Sequence, residues 1–173
     1  MRLLRRRHHQ SYPRFADTGA DAPALAIEAI AHDRGLSYVE LDVVGEANYQ
    51  AALEALAGPT DEDGKHQLVD VTLRCEPLNP YDTNAVRVEA MGQLVGYIPR
   101  PTAAVLSPAM QSACGGIVEG LGIIVGGWSG PEDEGHYGIR CWLARKDLER
   151  IHVYCDEVRR PVARSTSRRT VGR

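Results

Sequence analysis

Apolar and polar residues alternate over Tyr38-Val39-Glu40-Leu41-Asp42-Val43-Val44, the pattern of a half-buried strand. After Gly45, residues Tyr49, Ala52, Leu53 and Leu56 fall on one face at helical spacing, with Asn48 as the expected N-cap and Gly58 as the stop. Val69, Val71, Leu73 and Cys75 alternate with polar partners and predict a strand over Gln67 to Cys75. Asn84 to Ala90 and Gln93 to Pro99 predict two more strands, joined by a tight hairpin across Met91-Gly92. Pro101 to Cys114 reads as a helix opened by Pro-Thr, and Gly115 to Gly127 as a buried strand bent at its glycines. A loop over Gly127 to Gly138 precedes a strand over Tyr137 to Ala144, with Tyr137, Ile139, Cys141 and Leu143 on one side and Arg140 and Trp142 on the other. The region Lys146 to Cys155 ends in the apolar-polar run Ile151 to Cys155.

Upstream, Ala24 to Asp33 has helix-compatible spacings between Pro23 and Gly35. The expected fold is mainly β with helices (α+β): a small barrel of about six strands with two to three short helices, rather than a parallel sheet. The expected divisions are a basic arm over 1–22, a short helix or linker over 23–37, one folded domain over 38–157 and a basic tail over 158–173.

Charge changes this picture. The net charge of −3 conceals five arginines and no acid from Met1 to Ala16, and six arginines and no acid from Val158 to Arg173. The stretch between them holds nine cations against all 23 acids, a body near −14. Arginine arms of this kind bind polyphosphate by counterion release without needing a fold. They equally suit solubilising tails, or arms laid back on the acidic body. No apolar run approaches the length of a membrane helix, and the basic start MRLLRRRHHQ lacks the apolar stretch of a signal peptide. A cytoplasmic protein without membrane contact is expected.

No phosphate-cradling glycine motif and no nucleophile elbow is present, so neither a nucleotide-driven motor nor a triad hydrolase is expected. The four cysteines, at 75, 114, 141 and 155, form no close pair and read as reduced, mostly buried thiols. His152 and Cys155 with Cys141 form a weak zinc candidate. Glu132-Asp133-Glu134 with His136 reads as a solvated loop tip, and Trp128 beside it as a stacking platform or a barrel-end plug. No cofactor is expected.

The chemistry concentrates in Glu76-Pro77-Leu78-Asn79-Pro80-Tyr81-Asp82-Thr83-Asn84. Two prolines and three Asx-capable residues make a stiff loop that presents the Tyr81 ring and the Asp82 carboxylate in a fixed relation. Alternation places Tyr97 on the face away from Leu94 and Ile98, and Arg87 outward between Val86 and Val88, with Arg100 closing the run. Rings, cations and one carboxylate on neighbouring strand ends suit a single-stranded nucleic acid end. A carboxylate repels a continuing phosphodiester but accepts a hydrogen bond from a free sugar hydroxyl. The competing reading is an Asx turn in which Tyr81 only packs on the sheet.

This segment closely resembles the HIRAN domain, found beside the motor of a Swi/Snf-type helicase group and as a small stand-alone bacterial protein. The resemblance runs from Tyr38 to Leu143, through Val43-Val44-Gly45 and Tyr49-Gln50, Leu73, Glu76-Pro77, Asn79-Pro80-Tyr81-Asp82, Asn84-Ala85-Val86-Val88, and Val95-Gly96-Tyr97 with Ile98-Pro99. It implies an OB-like barrel that captures the 3′ end of single-stranded DNA in repair or replication. Asn79, Tyr81 and Asp82 would hold the terminal nucleotide, with the acid at the 3′-hydroxyl, and Tyr97 and Arg100 would stand nearby. It also implies a binding module without catalytic activity, with a helicase, nuclease or other protein as a further partner. Two other functions are weighed against it: an adaptor whose acidic face binds a basic protein, and a metal-dependent nuclease.

Overall fold

The computed structural model describes residues 22–131, 134–151 and 153; the expected basic arms, most of the Ile151 to Cys155 run and the pair 132–133 lie outside them. Six strands form one antiparallel sheet: β1 Tyr38–Leu41, β2 Lys65–Cys75, β3 Val86–Ala90, β4 Gln93–Tyr97, β5 Ile117–Gly126 and β6 Tyr137–Ala144. Their order across the sheet is β1-β6-β5-β2-β3-β4. Four helices accompany them: α1 Ala22–Arg34, α2 Gln50–Ala57, α3 Arg100–Cys114 and α4 Arg145–Arg150. The α+β class and the strand number match the expectation. The fourth helix was not expected, and it starts directly where β6 stops, over Arg145-Lys146-Asp147-Leu148-Glu149-Arg150, good helix formers apart from Asp147, whose acid lies in the first turn where the helix dipole favours it.

The alternation read along the chain becomes two layers of packing. Val69, Val71, Leu73 and Cys75 of β2 join Val86 and Val88 of β3, Ile139, Cys141 and Leu143 of β6, and Leu53, Leu106 and Met110 of the helices in the main core. The opposite phase of β5 and β6 supplies Leu121, Ile123 and Trp142, which pack with Leu68 and with Ile27 of α1 on the other face. The expected helix or linker over 23–37 thus contains α1, which docks on the sheet through Ile27, and a short connection to β1. Among the described residues no helix is long and apolar enough to cross a membrane.

The sheet is not closed into a barrel by a continuous ladder. Val44, just beyond β1, exchanges both backbone hydrogen bonds with Tyr97 of β4, at 2.8 and 2.9 Å, and this single bridge joins the two edges. Gly96 makes the approach possible: a Cβ there would stand 2.5 Å from Val43 Cγ1 and 3.0 Å from the Val44 carbonyl oxygen.

The hairpin turns on Met91 and Gly92, both at positive φ (48° and 86°), as a two-residue primed turn requires. Within it a register shift at Val88/Glu89 sets Glu89 opposite Leu94 and Arg87 opposite Tyr97. Val95 is the extra residue, and it drops into the core beside Ile98. The bulge reverses the expected phase of Leu94, which shares the face of Tyr97 instead of opposing it. Asn48 also departs from expectation. It ends a short 3-10 turn, Glu46–Asn48, and its amide donates to the Gly45 carbonyl at 3.3 Å, while Tyr49 occupies the N-cap of α2.

Candidate functional site

β2 ends at Cys75, and the chain enters a loop held by its own polar groups. Asn79 Oδ1 accepts hydrogen bonds from the backbone N–H of Tyr81 (3.0 Å) and Asp82 (3.3 Å), and Asp82 Oδ1 accepts one from Asn84 N–H at 2.9 Å. Of the three Asx-capable residues read from the sequence, Asn79 and Asp82 close these turns, and Asn84 takes part through its backbone N–H. Backbone bonds from Glu76 to Ala85 (2.8 Å) and from Ala85 to Asp82 (2.9 Å) close the loop at its base. The turns point two apolar side chains into solvent: Leu78 is 94% and Tyr81 86% exposed. Tyr81 therefore does not pack on the sheet.

Beside the loop, cross-strand register aligns Arg74 of β2 with Arg87 of β3 and Arg87 with Tyr97 of β4. Residues directly opposite one another share a face, so these three form one row on the side away from the main core. Between this row and Glu76 to Pro80 lies an open cleft of about 570 Å³. Glu76 organises it. Its Oε2 accepts from Asn79 Nδ2 at 2.9 Å and its Oε1 from Arg87 Nη1 at 3.3 Å, and its charge acts on the Tyr97 phenol. Burial, then the Glu76 charge, pushes the Tyr97 phenol up to about 12, so Tyr97 is a neutral donor at physiological pH. The Tyr49 ring stands 6.5 Å from that of Tyr97, tilted by 47°.

Each cation here has an acid. Arg87 Nη2 lies 2.7 Å from Glu89 Oε1, Arg74 Nε 3.5 Å from Glu89 Oε2, and Arg100 Nε 3.5 Å from Asp82 Oδ2. Arg74, Arg87 and Arg100 are thus balanced by Glu76, Glu89 and Asp82. The Nε atoms of Arg74 and Arg87 are nonetheless buried without a hydrogen-bond partner, so the donor capacity of the row exceeds what its acids absorb.

The six residues expected at the site divide into two groups. Asn79, Arg87 and Tyr97 line the cleft. Tyr81, Asp82 and Arg100 do not line it, and Arg100 ties them together by its ion pair to Asp82 and a 3.4 Å hydrogen bond to the Tyr81 carbonyl oxygen. Asn79 connects the groups, with its carbonyl serving the loop and its amide the cleft. Sequence reasoning missed Arg74, Glu76, Glu89 and Tyr49. The outward phase of β2 signalled Arg74, but only the strand register shows which residues it joins.

The remaining candidates stand apart. Trp128 forms a bridge with Asp61 at the far end of β2, and its ring lies against Gly135, where a Cβ would meet the indole nitrogen at 1.9 Å. The ten-residue rise from Lys65 to Cys75 puts it roughly 30 Å from the loop, too far for a stacking platform in the same site. Cys141 is fully buried, and burial raises its thiol to about 12, which disfavours a thiolate ligand. His152, Cys155, Glu132 and Asp133 lie outside the described residues. Among the described residues, no three of His, Cys, Asp and Glu are grouped to hold a metal.

Comparison with known proteins matches the HIRAN domain pattern to residues 35–126. The crystal structure of the HIRAN domain of human HLTF aligns with 70% of this chain and 86% of its own, at 21% identity and a TM-score of 0.37, too distant a likeness to transfer residues. No curated protein matches. With the domain pattern covering more than half of its length, the chain belongs to the HIRAN family.

Proposed function

We propose that the protein is a non-catalytic nucleic-acid-binding module that takes the 3′ end of single-stranded DNA, in a repair or replication setting within the cytoplasm. Residues 38–157 form the working unit in this reading. The observation that carries it is Tyr81: a large aromatic ring, 86% exposed, on a loop fixed by Asn79 and two prolines. Holding such a ring out of the core forgoes burial and gives a terminal base a preformed face to stack on. Asp82 supplies the end preference. One carboxylate oxygen is committed to Asn84 N–H, and the other faces Arg100, with lone-pair capacity left for a sugar hydroxyl. Arg100, 76% exposed at its side chain, is placed to meet the preceding phosphate.

Stacking is worth about 1–3 kcal/mol per base, so Tyr81→Ala is expected to weaken binding of a labelled oligonucleotide roughly 5- to 150-fold. Tyr81→Phe should retain most of the affinity. Neither change should alter the thermal midpoint, since an exposed ring contributes little to folding. Anisotropy titration of the three proteins checks this, and equal affinities would remove Tyr81 from the site. A protein-binding adaptor is the second reading, favoured by the pairing of every cation around the loop with an acid. It predicts no measurable oligonucleotide binding by the unaltered chain, and capture of a basic partner that Tyr81→Ala leaves intact.

A further inference from the structure

The register that builds the cleft continues past it. On the sheet face away from the main core, Ile117 of β5 stands opposite Arg74, Arg74 opposite Arg87, and Arg87 opposite Tyr97. These side chains make one row across four strands, beside the Tyr81 loop. The next row on the same face is Glu119, Thr72, Glu89 and Leu94. Beyond that, Leu68, Leu121 and Ile123 pack with Ile27 of α1. The face is therefore graded: arginines and an exposed isoleucine at the loop end, carboxylates one step further in, and then a layer covered by a helix.

This grading bears on where a polyanion runs once its end is held at Tyr81. A strand continuing along β2 would carry its phosphates over Glu89 and Glu119, roughly 7 Å from the first row, and then against α1. A strand running across the sheet keeps its phosphates on the first row. Arg74 is the anchor available there. It lines the cleft with its side chain 38% exposed, and its approach to Glu89 is 3.5 Å through Nε, longer than the roughly 2.7–3.2 Å of an N–H···O hydrogen bond. Its two Nη groups take no part in that ion pair, whereas both Nη groups of Arg87 are committed to Glu76 and Glu89. Past Arg74, Ile117 is 39% exposed and offers apolar surface to a base or sugar. Tyr97 lies on β4 and Arg100 three residues beyond it, so Arg100, Tyr97, Arg87, Arg74 and Ile117 follow in order from the β4 edge to β5. Three strand spacings make that row roughly 14 Å long. At a stacked rise of about 3.4 Å per nucleotide this is about four nucleotides, and fewer when the strand is drawn out.

We infer that the single strand leaves the Tyr81 loop across β4, β3, β2 and β5, with Arg74 holding an internal phosphate and Ile117 covering the nucleotide beside it. The inference rests on the nucleic-acid reading above and adds a second subsite to it. The row of Glu89 and Glu119 confines the strand to this path by repelling phosphates from the rest of the face.

The test is an anisotropy titration of the full chain with two 5′-labelled single-stranded DNAs ending in a 3′-hydroxyl, a dinucleotide and a hexanucleotide, at several salt concentrations. The unaltered protein should bind the hexanucleotide at least about tenfold more tightly, because only the longer strand reaches Arg74 and Ile117. Arg74→Gln should weaken the hexanucleotide about five- to tenfold and lower its slope of log affinity against log salt by about 0.7, the share of one phosphate on a single strand. Arg74→Lys keeps the charge and should keep that slope. Ile117→Asn, at an exposed position, should weaken the hexanucleotide about three- to fivefold with its salt slope unchanged. Both Arg74→Gln and Ile117→Asn should shrink the ratio between the two strands. Equal affinity of the unaltered chain for the two DNAs overturns the path, as does a ratio that neither variant changes or a slope that Arg74→Gln leaves intact. Absence of binding by the unaltered chain sinks the nucleic-acid reading itself, whereas hexanucleotide binding that needs Tyr81 but neither Arg74 nor Ile117 sinks only the path across the sheet.

Discussion

Replacing Glu76 with alanine is expected to cost about 1–3 kcal/mol of stability and to loosen the loop and the cleft together. The side chain is four-fifths buried, accepts from Asn79 and Arg87, and holds its charge close to the Tyr97 phenol. Its removal leaves the Asn79 amide without that acceptor, and shifts the burden of Arg87 onto Glu89 alone. Buried polar groups without partners cost more than the hydrogen bonds themselves are worth, so the loss exceeds that of an ordinary surface ion pair. The milder Glu76→Gln keeps a hydrogen-bonding side chain and removes the charge. It should bring the Tyr97 ionisation down from about 12, though not to the ordinary 10.0, because burial is the larger cause of the shift. Absorbance titration of the phenolate, with Tyr97→Phe to identify the transition, measures this. The sign in the unaltered protein follows by linkage. Tyr97 stays protonated in the fold to about 12 but ionises near 10.0 when unfolded, so its contribution is complete below pH 10 and is lost as pH rises toward 12. A Tyr97 that titrates at its ordinary value would mean that Glu76 and the cleft do not enclose it.

Gly96→Ala is expected to destabilise by about 1–2 kcal/mol and to displace Tyr97. Two effects oppose each other. Alanine restricts the unfolded chain and stabilises by about 0.4–1 kcal/mol where the backbone tolerates it. Overpacking costs about 1–3 kcal/mol, and here the new Cβ would meet Val43 Cγ1 at 2.5 Å and the Val44 carbonyl oxygen at 3.0 Å. The valine methyl has room to rotate, but the carbonyl belongs to the bridge that joins the sheet edges, so overpacking wins. The thermal midpoint should fall, and faster amide exchange at Val44 and Tyr97 should accompany it. A midpoint at or above that of the unaltered protein would show that the Val44–Tyr97 bridge is not a constraint.

The parts of the fold legible in the sequence are those set by short-range periodicity. The inward phase of Val69 to Cys75, the opposed faces of Arg140 and Cys141, and the hairpin at Met91-Gly92 all depend on neighbours a few positions away. The misplacement of Leu94 has a local cause as well: Val95 adds a residue to one strand only, and nothing within β4 announces it. The loop was legible because the Asn79 and Asp82 side chains accept from backbone N–H groups two or three residues further on. The cleft was not. The alignment of Arg74, Arg87 and Tyr97, and the meeting of Glu76 with all but the first of them, come from register between strands. The helix of Arg145–Arg150 was hidden for a related reason, since the apolar positions Ile151 and Val153 that follow it mimic strand alternation.

The central claim, that Asp82 and Tyr81 read a free DNA end, is tested most directly by anisotropy titration with two single-stranded oligonucleotides of one sequence, one ending in a 3′-hydroxyl and the other in a 3′-phosphate. On the proposed reading, a 3′-hydroxyl would donate a hydrogen bond to the Asp82 carboxylate, whereas a 3′-phosphate would meet it as a like charge. The account predicts at least about tenfold tighter binding of the hydroxyl end, the discrimination worth about 1.4 kcal/mol that one charge-assisted hydrogen bond readily supplies. Equal affinity for the two ends, or none below millimolar concentration for either, would contradict it.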